Sequence, residues 1–170
     1  MPYLLTIVGC KNAGKTRTCE LLVPLLRGLG LRVGTLKYTE HEGFDWDEEG
    51  KDTHRHRQAG SEITGIIGRR VFAYQSHRPD DPGIDLDTVI RTLYTGVDLL
   101  LIEGLRRAAG LKLEVHRPGF TDAPVAAPTE LLATYGASLF RYDLLHFDYG
   151  HEAELAAHIF GNLNHLHEVK

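Results

Sequence analysis

Residues 9–16 read Gly9-Cys10-Lys11-Asn12-Ala13-Gly14-Lys15-Thr16 and fit the pattern G-x-x-x-x-G-K-[ST]. The spacing has a chemical reason. Gly9 and Gly14 permit backbone torsions and a close approach that side chains forbid. A loop of this kind turns successive N–H groups inward, and the helix that follows adds its positive end. Lys15 then reaches the β- and γ-phosphates, and Thr16 offers a hydroxyl to Mg²⁺. The expected ligand is a nucleoside triphosphate as its Mg²⁺ complex. The expected contacts are residues 9–16 with the adjoining Arg17, and Lys15 has the catalytic part.

A second acidic element lies at residues 97–104, VDLLLIEG. A long apolar strand ending in Glu103 resembles a Walker B element. Its carboxylate would emerge at the carboxyl end of the strand, where open α/β sheets bind their ligands. If this strand neighbours the one before the loop, Glu103 is a direct or water-mediated Mg²⁺ ligand. Asp98, at the start of the strand, belongs to the opposite edge and reads as structural.

A third group follows the second strand in Phe44-Asp45-Trp46-Asp47. Asp45, with Asp47 as its alternative, can join the Mg²⁺ sphere or position a water. Lys51 and Arg55 can add positive charge near the γ-phosphate. The competing reading is a solvated acidic loop, because residues 38–57 hold seven carboxylates and few apolar anchors.

These groups need a scaffold. Residues 3–8 form a continuous apolar run ending in the loop, as a buried parallel strand does. Thr18, Leu22, Leu25 and Leu29 then recur at helical spacing, with Leu21 and Leu26 beside them, up to Gly28 and Gly30. Pro24 removes one backbone bond there and predicts a bend. Residues 32–37 complete a βαβ unit. Beyond the acidic loop the patterns predict a short helix near 51–59 and strands at 63–67 and 71–74 paired through Gly68. A helix over 85–94 and strands at 97–102, 111–115 and 144–147 come next, with a closing helix over 151–160. The stretch 77–83 is turn-rich, and 119–129, with two prolines, reads as loop or edge structure. The pattern predicts one P-loop NTPase-like α/β domain over 1–170, its mostly parallel sheet flanked by helices, with some antiparallel strands.

Composition narrows the function classes. The 170 residues carry 19 basic and 23 acidic groups, a net charge of −4, with no run of like charge. That gives no electrostatic footprint for a nucleic acid. No apolar run approaches the ~20 residues of a membrane span, and residues 3–8 are too short for the core of a signal peptide. Two cysteines, Cys10 and Cys19, read as free thiols in a reducing cytosol. Ten histidines occur, but His54 and His56 are two apart and face different ways on a helix. No metal-binding spacing appears among them, and most read as surface or loop residues. The expected compartment is the cytoplasm.

The motifs together resemble the molybdopterin-guanine dinucleotide biosynthesis adapter proteins, called MobB. The matching pieces are GCKNAGKT, the helix with Leu21–Leu26 and Pro24, and the strand ending Thr35-Leu36-Lys37. They continue with Phe44-Asp45-Trp46-Asp47, Gly50-Lys51-Asp52-Thr53, Arg55 and Ala59-Gly60, then DLLLIEG and KLEVHR up to Arg117. The resemblance covers roughly residues 3–117. It implies a dimeric adapter that binds GTP with Mg²⁺, hydrolyses it slowly, and holds guanine nucleotide beside a molybdopterin guanylyltransferase. Where many relatives carry a histidine pair after the second strand, this chain has Tyr38-Thr39-Glu40-His41. No N-K-x-D motif occurs, so the guanine base rests on the resemblance alone and ATP stays open. Two other classes remain. In an NTP-dependent small-molecule kinase or ligase, Asp45 or Asp47 would be the general base and Arg69-Arg70 or Arg106-Arg107 a lid. A pure interaction module would have no use for an intact Gly14, Lys15 and Thr16.

Overall fold

The computed structural model describes residues 1–39, 47–76, 85–141 and 143–168. Two compact units emerge: residues 1–39 with 86–170, and residues 40–85.

The first unit is built on a seven-stranded sheet. Strand β1, Tyr3–Val8, leads into the loop and helix α1, Lys15–Gly28. Strand β2 is Val33–Lys37. The second unit contributes helix α2, Asp52–Gln58, and the antiparallel pair β3, Ile63–Ile67, and β4, Phe72–Ser76. The chain returns to the first unit with α3, Leu86–Leu93, β5, Leu99–Glu103, and β6, Lys112–His116. It ends with β7, Leu131–Gly136, β8, His146–Phe147, α4, Glu152–Gly161, and β9, His167–Glu168.

The strand order is β2-β5-β1-β6-β7-β8, with every neighbouring pair parallel. Strand β9 runs antiparallel to the first two residues of β1. Both faces of the sheet are covered, as a parallel sheet requires. On one face Leu5, Ile7, Leu99, Leu101, Leu113 and Val115 meet Leu22 and Leu26 of α1 and Leu155 and Ile159 of α4. On the other, Leu4, Leu100 and Ile102 meet Ile90 of α3. This is the mostly parallel α/β architecture with a small antiparallel addition that the sequence predicts.

Most boundaries agree with the sequence reading to within two residues. Three features differ. The buried stripe of α1 is Thr18, Cys19, Leu22 and Leu26, while Leu29 lies just past the helix and is exposed. A central strand, β7, occupies residues that the sequence reading left unassigned. His116 is buried on β6, an exception to the reading of most histidines as surface or loop residues. The turn-rich stretch 77–83 lies outside the described residues.

Candidate functional site

The loop 9–14 joins the carboxyl end of β1 to the start of α1. Gly9 has φ of 150°, and a Cβ there would come within 2.7 Å of the Val115 carbonyl oxygen on β6. Only glycine lets the loop leave β1 so close to that strand. Gly14 caps α1 with φ of 103°, and Asn12 holds φ of 63°. Ala13 is buried beneath the loop, and its N–H donates to the Cys10 carbonyl at 3.2 Å. Lys11 is exposed. The Cys10 thiol faces the Ala123 carbonyl at 3.9 Å, and the Arg117 guanidinium donates to the Asn12 carbonyl at 3.4 Å. The segment after β6 therefore braces the loop from one side.

Lys15 curls over the loop. Its ammonium donates to the carbonyls of Gly9 at 3.0 Å and Cys10 at 2.7 Å. Partial burial holds its pKa below the ordinary lysine value, against the attraction of Glu103. Arg17, one residue beyond the motif, pairs with Glu20 at 3.0 Å on the exposed side of the helix.

Glu103 sits where the sequence reading needed it. Strands β1 and β5 are neighbours, and Ile7 is in register with Glu103. The Thr16 hydroxyl donates to the Glu103 carboxylate at 2.8 Å. A hydroxyl and a carboxylate side by side, both hard oxygen donors, form the kind of set that Mg²⁺ accepts. One further cation stands there that sequence reasoning did not assign: Lys37, the last residue of β2, lies 4.0 Å from the same carboxylate oxygen. The strand order puts it there, and the sequence reading named it only as the end of the Thr35-Leu36-Lys37 match, with no role.

The remaining candidates separate. Asp45 lies outside the described residues. In the second unit, Asp47 accepts a hydrogen bond from the Thr53 hydroxyl at 2.7 Å, just ahead of and within the start of α2. Asp98 is structural, as its place at the far edge suggested. Arg32 clasps it with a 2.7 Å ion pair and donates its own backbone N–H at 2.7 Å. The guanidinium hydrogen bond is the larger cause that lowers the Asp98 pKa to about 2. Cys19 is a buried thiol whose pKa burial pushes up to about 12. A shallow cavity of about 290 Å³, lined by Thr134, Ser138, Phe140, Arg141, Leu144 and His146, shares no residue with the loop.

A glycine-framed loop between a buried parallel strand and a helix, with a strand-terminal carboxylate from the adjacent strand, defines an α/β protein with a P-loop-like fold. The family model for molybdopterin guanine dinucleotide synthesis protein B matches residues 4–135, and the chain belongs to that family. It is similar to the molybdopterin-guanine dinucleotide biosynthesis adapter protein of Escherichia coli (strain K12), 31% identical over 122 residues. That match spans 71% of this chain and 69% of the relative. The Haemophilus influenzae protein of the same description is 29% identical over 169 residues, covering 98% of this chain and 93% of the relative. The crystal structure of Bacillus subtilis MobB has the same fold, with a TM-score of 0.69 at 24% identity, over 97% of this chain and 98% of that one. Among the described residues, no helix is long and apolar enough to cross a membrane.

Proposed function

We propose that this chain is a GTP-binding adapter in molybdopterin guanine dinucleotide biosynthesis, working beside the guanylyltransferase. The observation that carries the nucleotide half of this reading is the 2.8 Å approach of Thr16 to Glu103 across the mouth of the glycine loop. The family carries the pathway and the guanine base. In this reading the loop from Gly9 to Gly14 surrounds the phosphates, Lys15 leaves its carbonyl partners to meet them, and Thr16 and Glu103 hold Mg²⁺. The metal would neutralise charge between the two outer phosphates. Hydrolysis is slow in this scheme, well under the ~1–100 s⁻¹ usual for kinases, until a partner completes the site.

The adapter works as a homodimer in this proposal, in the cytoplasm. Its support is the β3–β4 hairpin, where Ile66, Ile67, Val71 and Phe72 are all more than half exposed. A two-stranded hairpin is marginal by itself, and a second copy of the same apolar surface would cover it. The test of base choice is titration calorimetry with MgGTP and MgATP. GTP should bind at least tenfold tighter, about 1.4 kcal/mol. Tighter binding of ATP would remove the guanine adapter and bring the kinase reading forward.

A further inference from the structure

We infer that Lys37 contacts the terminal phosphate of a bound nucleoside triphosphate and sets the preference for triphosphate over diphosphate. The inference rests on the nucleotide reading above and adds a residue outside the glycine loop.

The argument starts from strand order. The carboxyl ends of β1, β5 and β2 stand side by side, and Lys37 and Glu103 are in register. In the proposed reading Thr16 and Glu103 would hold Mg²⁺, and a metal there would neutralise charge on the outer phosphates. The terminal phosphate therefore belongs on the β5 side of the loop, and the next side chain outward on that edge is Lys37. Its ammonium stands 4.0 Å from the Glu103 oxygen that also accepts the Thr16 hydroxyl.

The two partners differ in freedom. The Glu103 side chain is 14% exposed and that of Lys37 is 68% exposed. The main chain beneath them is fixed, because Tyr38 donates to the Glu103 carbonyl at 2.9 Å and Gly104 donates to Ile7 at 3.0 Å. A flexible four-carbon stem on a fixed strand end can swing from the carboxylate to a neighbouring anion. The charge balance favours that anion. After burial and the Glu103 attraction, the charges of Arg106 and Lys37 both act on Lys15. Lys15 thus feels two further cations, Arg106 and Lys37, beside the one carboxylate of Glu103. A diphosphate satisfies Lys15, and only a further phosphoryl group reaches Lys37.

The test is calorimetric affinity for GTP and for GDP, each with Mg²⁺ and with chelator, on the wild-type chain and on Lys37→Gln, Lys37→Arg and Lys37→Gln with Glu103→Gln. Lys37→Gln should weaken GTP about tenfold, the size of one charge-assisted contact, and GDP less than twofold. Lys37→Arg should restore most of the difference. The loss should persist in the chelator and in the double variant. Equal losses for both nucleotides, no loss for either, or a loss that vanishes once Glu103 is neutralised would overturn the inference while leaving nucleotide binding intact. A wild-type chain that binds neither nucleotide overturns the nucleotide reading and this inference with it. Thermal unfolding should be the same for Lys37→Gln and wild type.

Discussion

Strand β5 and the β3–β4 hairpin are both rich in apolar residues, and they meet opposite environments. Leu99, Leu100, Leu101 and Ile102 have no exposed surface, whereas Ile67 is 81% and Phe72 65% exposed. The difference lies in what surrounds them. Strand β5 has a parallel strand on each side and helices on both faces. Among the described residues each hairpin strand has one strand partner, and Phe72 and Tyr74 stack with ring centroids 5.8 Å apart. Apolar composition therefore reports that a segment wants cover, and the topology decides whether the same chain supplies it. The exposed hairpin is what supports the dimer proposed above.

Paired substitutions break or sharpen that contrast. Leu101→Ala should cost about 2–5 kcal/mol of stability, the usual range for a fully buried leucine. Ile67→Ala should stay within about 0.5 kcal/mol when the protein is dilute, and Ile67→Lys should shift sedimentation from dimer towards monomer. Denaturant unfolding and sedimentation velocity read the two effects separately. If Ile67→Ala unfolds the chain as readily as Leu101→Ala, the hairpin is core and the contrast fails.

A smaller effect is expected at the edge of the sheet away from the loop. Arg32 depresses the Asp98 pKa, so the charged pair stabilises the folded chain above the carboxyl's ordinary value of 3.8. That contribution fades as the pH falls from about 3.8 towards about 2. Asp98→Asn should lower stability at neutral pH and flatten the acid limb in that window. A limb unchanged in Asp98→Asn would show that Arg32 does not hold the carboxylate. The pair is partly exposed, so this change ranks below the core substitution.

The glycine loop between β1 and α1 was legible because its pattern is local: two glycines, a lysine and a threonine at fixed spacing after an apolar strand. The Glu103 reading needed one non-local condition, adjacency of β1 and β5, which the sheet order supplies. Lys37 was opaque for the complementary reason. Its place beside Glu103 depends on β5 inserting between β1 and β2, and no spacing in the chain encodes that. Strand β7 was missed although Leu131 to Tyr135 is a short apolar run after a turn. It went unassigned because short runs of this kind are ambiguous in type. Strand β9 pairs only two residues with β1, too few to leave a pattern. The buried His116 lies 3.3 Å from the equally buried Glu114 on the same strand, and a strand covered on both faces hides such polar residues from alternation rules.

The central claim is that the loop from Gly9 to Thr16 binds the phosphates of a nucleotide through Lys15. Its most direct test is calorimetry of the wild-type chain and Lys15→Ala with GTP in the presence of Mg²⁺. The account predicts saturable one-site binding to the wild type and at least a hundredfold loss in Lys15→Ala, about 2.7 kcal/mol, with both proteins equally folded. Equal affinity in the two proteins would contradict it, because a nucleotide that ignores Lys15 is not held by this loop.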